Sequence, residues 1–168
     1  MTRSFLIKPA SSLCGLRCSY CFYHDVAQSR QQASYGVMAP ETADALLRRA
    51  LAEGGERDEI QFCFQGGEPT LAGLPWFRRF SQRAQELRRP GQRVSYAIQT
   101  NAMDLDEDWC RYFREYRYLV GVSLDGFQEN HDFFRRTPEG EGTFPQVMAA
   151  LELLKAHRVE VNILTVLT

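Results

Sequence analysis

The chain has 168 residues, with 20 Lys and Arg against 21 Asp and Glu, for a formal charge of −1. That balance excludes a strongly basic nucleic-acid module and an acidic tail, so no nucleic-acid partner is expected. With 44% hydrophobic and 24% charged residues, the composition excludes a disordered chain, and the length predicts one domain with a real core.

In chain order, Ser4–Lys8 is an apolar run and predicts a first strand. Polar residues from Tyr23 to Ala39 carry no clear period and read as a long loop. A helix is predicted from Pro40 to about Glu53, with Ala43, Leu46, Leu47, Ala50 and Leu51 on one face and Gly54–Gly55 as its stop. Glu59–Phe64 predicts the second strand, which runs into Gln65-Gly66-Gly67-Glu68-Pro69. Pro75 opens a helix carrying Phe77, Phe80, Ala84 and Leu87, and Pro90–Gly91 ends it. The third strand is Val94–Gln99, and its helix starts at Asp106, a plausible N-cap. Trp109, Tyr112, Phe113 and Tyr116 form an apolar stripe that reads as core. Tyr118–Leu124 predicts the fourth strand. Thr143 can cap a helix whose Phe144, Val147, Met148, Leu151 and Leu154 face the core, and Val159–Leu167 predicts a fifth strand. Strands alternating with amphipathic helices imply βαβ units, hence an α/β fold with a parallel sheet and right-handed crossovers.

Neither a membrane span nor the apolar core of a signal peptide is visible, so a cytoplasmic protein with no membrane partner is expected. The chain stops at Thr168 with no helix after the fifth strand, although parallel strands are normally covered on both faces. A closed eight-unit barrel needs about 250 residues. A piece of a longer protein, or the product of a truncated gene, is therefore expected.

Five cysteines without a secretory signal do not read as a disulfide framework. Three of them, Cys14, Cys18 and Cys21, follow the first strand with the spacing C-x3-C-x2-C. Thiolates this close can converge on an iron–sulfur cluster or zinc. A four-iron cluster on three cysteines leaves one iron open to a substrate or cofactor. Structural zinc instead needs a fourth ligand, for which His24 is available on paper. Three reduced, unliganded thiols are the remaining alternative. Cys63 sits mid-strand and reads as a small buried hydrophobe, Cys110 lies on a helix, and His131–Asp132 read as local loop or helix-start structure.

The segment Cys14-Gly15-Leu16-Arg17-Cys18-Ser19-Tyr20-Cys21 resembles the cluster motif of the radical SAM superfamily, C-x3-C-x-aromatic-C, and Gly66-Gly67-Glu68 resembles its second motif. The finer likeness is to the anaerobic sulfatase-maturating enzymes. It is carried by Lys8–Cys14, Cys21-Phe22-Tyr23, Phe64–Gly73, Ile98–Asn101, Val120–Gly126, His131–Arg135 and Asn162–Val166, and so covers nearly the whole chain. This resemblance implies a partial (β/α) barrel, with about five of an expected six strands in residues 1–168 as a radical SAM core domain. It further implies that the SPASM domain, with its auxiliary clusters, and the family's general-base aspartate lie beyond this chain. The isolated chain is then expected not to complete the reaction.

The same resemblance implies a [4Fe-4S] cluster held by Cys14, Cys18 and Cys21, with S-adenosyl-L-methionine on the open iron. Tyr20 would lie against the adenine. Gly67 and Glu68 would contact the methionine amine, Ser123 would bond the cofactor, and Arg135 would pair with the methionine carboxylate, with Arg136 as its rival. Tyr23, Gln65, Gln99 and Asn101 would line the substrate side. The implied activity is oxidation of a sulfatase Cys or Ser to Cα-formylglycine through a 5′-deoxyadenosyl radical. The partners would be an unfolded or nascent sulfatase polypeptide and an electron donor such as flavodoxin or ferredoxin. Another peptide-modifying radical SAM enzyme and a non-catalytic metal-binding relic stand as alternatives.

Overall fold

The computed structural model describes residues 1–167. Five strands, β1 (Thr2–Ile7), β2 (Glu59–Phe64), β3 (Arg93–Thr100), β4 (Leu119–Ser123) and β5 (Glu160–Leu164), form one open sheet in sequence order. All four pairings are parallel, which makes this the expected α/β fold with five strands of a partial barrel. The register places Ile7 beside Phe64 and Phe64 beside Ile98, so the ends of the first three strands, and the loops leaving them, lie side by side.

Strand side chains alternate between two faces. Ile60, Phe62 and Phe64 of β2, Tyr96 and Ile98 of β3, and Val120 and Val122 of β4 are buried. They pack against four helices: α2 (Pro40–Glu53), α3 (Leu74–Leu87), α4 (Glu107–Glu115) and α6 (Phe144–Ala156). Each helix contributes its apolar stripe: Ala43, Leu47, Ala50 and Leu51 from α2, Phe77, Phe80 and Ala84 from α3, Trp109, Tyr112 and Phe113 from α4, and Val147, Ala150 and Leu154 from α6. Asp106 caps α4 as expected, its carboxylate accepting from Trp109 N–H. The opposite sheet face carries Gln61, Cys63, Gln65, Ser95, Ala97 and Gln99, all only half-buried.

Several expectations are corrected. Two short helices lie outside the predicted ones, α1 (Phe22–Gln28) inside the supposed loop and α5 (Gln128–Phe134), where of the loop and helix-start readings of His131 the helical one holds and its side chain is fully buried. Thr143 precedes α6 but its side chain does not cap it. Asp132 does, its Oδ1 accepting from Thr143 N–H at 2.7 Å and Phe144 N–H at 2.8 Å, while the Thr143 hydroxyl turns to the Arg135 carbonyl. Met148 is exposed, one face away from the buried Val147, Ala150 and Leu154. Cys63 is half-buried rather than core, because its neighbours Phe62 and Phe64 take the helix-covered face. The last strand is shorter than the apolar run and ends at Leu164.

Candidate functional site

The loop after β1 folds over the ends of β2 and β3. Backbone bonds hold it there: Gly67 N–H donates to the Ser11 carbonyl at 3.1 Å and Glu68 N–H to the Leu13 carbonyl at 2.6 Å. On its other side, Arg17 N–H donates to the Arg136 carbonyl and Ser19 N–H to the Phe134 carbonyl, at 2.8 and 2.9 Å. Gly67 sits so close to this loop that an added Cβ would overlap the Leu13 carbonyl oxygen, so the glycine is needed for loop-on-loop packing.

A cavity of about 180 Å³ lies under the loop, at the C-terminal ends of the strands. Cys14, Cys18 and Cys21 line it together with Tyr23, Gln65, Gly67, Glu68, Gln99, Asn101, Ser123 and Arg135, and sequence analysis missed Thr100. Of the twelve residues expected at the site, only Tyr20 is outside this lining. Its ring packs on Phe134 and under the Arg135 guanidinium, and its hydroxyl donates to Asp125. Gln65 and Gln99 also line an adjoining hollow of about 150 Å³ on the half-buried sheet face, next to Cys63, Ala97, Gly121 and Asn162. Gly121 matters there, since an added Cβ would overlap the Gln99 amide oxygen. Gln99 Nε2 donates to Ser123 Oγ at 2.9 Å, and Gln65 Nε2 to the Tyr23 hydroxyl at 3.2 Å. Two hollows of about 620 and 660 Å³ open at the opposite end of the sheet. Arg93, Glu115, Arg117, Arg158 and Glu160 line them, charges of both signs on a solvated rim far from the thiols.

Two carboxylates organise the site. Glu68 is 1% exposed, and its oxygens accept four bonds: Oε1 from Thr70 N–H, Thr70 Oγ1 and Thr100 Oγ1, and Oε2 from Asn101 N–H. Burial raises its pKa, and these bonds oppose that rise. Its side chain thus ties the end of β2 to the end of β3. Asp125, fully buried, accepts from Arg135 Nε at 2.8 Å and Nη2 at 3.1 Å, a bidentate pair. Burial acts to raise its pKa, but the bonds from Arg135 and Tyr20 outweigh that and hold the carboxyl below its ordinary range. Asp125 escaped sequence analysis although it follows the fourth strand directly. Of the two neighbouring arginines, Arg135 lines the cavity, whereas Arg136 is exposed and donates to the Asp132 carbonyl.

The donor set fits a sulfur-ligated centre. Burial raises the Cys14 thiol and pushes Cys18 up to about 11, with Arg135 opposing the rise at Cys18. Such thiols are protonated at neutral pH and are not activated nucleophiles; a cationic metal centre would hold them as thiolates. Among the described residues, no three His, Cys, Asp or Glu side chains converge tightly enough to hold a single metal ion. His24 is outside the cavity lining and its Nε2 pairs with the Gln28 amide, which disfavours a Cys3His zinc site. Also among the described residues, no helix is long and apolar enough to cross a membrane.

Comparison with known proteins bears on the family. The sequence profile of the Radical SAM superfamily matches residues 9–168. The cysteine-type anaerobic sulfatase-maturating enzyme of Clostridium novyi (strain NT) is 42% identical over 163 residues, covering 97% of this chain and 43% of the relative. The serine-type anaerobic sulfatase-maturating enzyme of Bacteroides thetaiotaomicron is 33% identical, covering 96% of this chain and 38% of the relative. A solved structure, native anSMEcpe with bound AdoMet and Kp18Cys peptide, superposes with a TM-score of 0.90 at 41% identity, covering 98% of this chain and 43% of that one. The chain thus spans less than half the length of these relatives.

Proposed function

The chain belongs to the radical SAM superfamily, and from that premise we propose that residues 1–168 form the radical SAM core of a sulfatase-maturating enzyme, the part that starts the oxidation of a sulfatase Cys or Ser to Cα-formylglycine. One observation carries the reading: three thiols from a single eight-residue loop, the Gly66–Glu68 turn, Ser123 and Arg135 all line one cavity at the strand ends. Cys14, Cys18 and Cys21 hold the [4Fe-4S] cluster. When bound, the cluster and S-adenosyl-L-methionine supply the one-electron chemistry that starts hydrogen abstraction.

The chain's own residues bind and orient. The Arg135 guanidinium, locked by Asp125 through Nε and Nη2, keeps Nη1 for the methionine carboxylate. The Gly66–Gly67 backbone receives the methionine amine, and Ser123 Oγ, which already accepts from Gln99, turns its own proton to the cofactor. Tyr20 closes the adenine side through its backbone, its ring being engaged by Phe134 and Arg135. Gln65 and Gln99 face the adjoining hollow, where an extended sulfatase segment supplies its Cys or Ser, and Tyr23 lines the thiol cavity beside it. The electron comes from a small carrier of the flavodoxin or ferredoxin type.

The test is anaerobic loading of the purified chain with iron and sulfide, then reduction with S-adenosyl-L-methionine and a sulfatase peptide deuterated at Cβ of its Cys or Ser. About four iron and four sulfide per chain, release of 5′-deoxyadenosine and deuterium in that product are expected. Zinc binding alone, or no cluster in a folded chain, would overturn the core reading. Release of 5′-deoxyadenosine without deuterium transfer would favour another peptide substrate.

A further inference from the structure

The three cysteines are not equivalent. Among the described residues, the Cys14 sulfur accepts two hydrogen bonds, from Leu16 N–H at 3.4 Å and from Asn101 Nδ2 at 3.7 Å. The second bond crosses from the residue just after β3 to the cysteine loop and joins residues 87 positions apart. Asn101 cannot turn its amide round. Its Oδ1 accepts from Met103 N–H at 3.0 Å, so a flip would set the amide oxygen against sulfur and the NH2 against an N–H. Its backbone N–H donates to Glu68 Oε2 at 2.7 Å, and Glu68 is itself fixed by Thr70 and Thr100. Asn101 is 8% exposed, so little water is at hand to replace its donor.

A hydrogen bond to a ligating sulfur stabilises negative charge there. Reducing a cluster adds negative charge to the cluster–thiolate unit, so the donor favours the reduced state and raises the reduction potential. We propose that Asn101 is a positioning residue for the metal centre: its side-chain amide, held by Glu68 and Met103, sets the reduction potential through Cys14. The inference rests on the reading of Cys14, Cys18 and Cys21 as cluster ligands. It gives Asn101 a role other than the substrate contact that the resemblance implies.

The test is a redox titration of the iron-loaded chain, followed by absorbance and electron paramagnetic resonance, for wild type, Asn101→Asp and Asn101→Ser. Both variants keep an acceptor for Met103 N–H; the aspartate carboxylate brings no donor to Cys14, and the serine hydroxyl, one bond shorter than the amide, is withdrawn from the sulfur. Both should load the cluster and be harder to reduce. The one-electron equilibrium constant should fall about tenfold for Asn101→Asp, a shift of about 59 mV, and less for the uncharged serine. Loaded variants with the wild-type potential would overturn the proposal and leave the cluster reading standing. Failure of both variants to load beside a loaded wild type would overturn it too, because tuning through Cys14 leaves the three ligands in place. A wild-type chain that holds no cluster would sink the cluster reading itself, and the proposal with it.

Discussion

The two faces of the sheet are built on opposite plans. On the helix-covered face, rings fill the space: Phe64 packs edge-on to Phe77 and Phe80, Tyr118 stacks on Tyr96 at 5.0 Å, and Tyr112 bonds Tyr118 and the Phe77 carbonyl. On the other face and at the strand ends, the same strands present Gln65, Gln99, Gly121 and Ser123, half-buried or backbone only, beside thiols that no disulfide closes. One side holds the fold together by dry packing. The other holds polar groups at fixed positions around a space. Substitutions should therefore separate: those on the first side change stability, and those on the second change what binds.

The largest effect that would test this separation comes from Phe77→Ala. Phe77 has no exposed surface and touches rings of Phe64, Trp76, Trp109 and Tyr112. Its truncation should cost about 3–5 kcal/mol in urea unfolding. Iron bound per folded chain should stay at the wild-type level. A loss of iron in the fraction that remains folded would break the separation of the two faces.

Gly67→Ala is the converse case and should be smaller in stability. The added methyl must push the Leu13 carbonyl away, and with it the loop that carries the cysteines. Overpacking of this kind costs about 1–3 kcal/mol. The larger change should be in iron and S-adenosyl-L-methionine binding, read by metal analysis and calorimetry. Unaltered binding in Gly67→Ala would show that the loop tolerates displacement and that the contact with Leu13 does not position the thiols.

Much of this arrangement was legible in the sequence where one periodicity or spacing dominates. The helix Pro40–Glu53 and the strand Glu59–Phe64 have the expected bounds because both carry a regular apolar pattern. The short helices α1 and α5 were not legible, since the first buries no residue and the second only His131, so neither shows an apolar stripe. Cys63 was readable in hindsight from period-two alternation: with Phe62 and Phe64 buried, it must face the other way. At the site, the cysteine spacing and the Gly66–Glu68 turn announced themselves. The carboxylates' partners did not, because Glu68 meets Thr100 and Asn101 only once β2 and β3 pair, and Asp125 meets Arg135 only once α5 turns back.

His131 joins the two regions and gives the smallest effect. Its Nδ1 accepts from Asp125 N–H at 3.2 Å, which leaves Nε2 as the protonated nitrogen, donating to Thr143 Oγ1 at 3.0 Å. That hydroxyl donates in turn to the Arg135 carbonyl. Burial lowers the ring's pKa from the ordinary 6.5, and the Arg135 charge lowers it further, against the raising effect of Asp125 and Asp132. The folded state therefore binds fewer protons than the unfolded chain. The contribution of the neutral ring to stability is complete above 6.5, shrinks as the pH falls below it, and is gone below the folded-state value. Asp125 has the opposite charge type but loses stability in the same direction. Its lowered pKa makes its contribution complete above 3.8, so it is lost only in more acid solution. Urea unfolding of wild type and His131→Gln between pH 7 and pH 5 separates the two. The stability gap between them should narrow on acidification while Asp125 stays ionised. A His131 ring that titrates above 6.5 by NMR, or a gap that widens as the pH falls, would show that the imidazole is held as a cation and that the bond from Asp125 N–H to Nδ1 does not form.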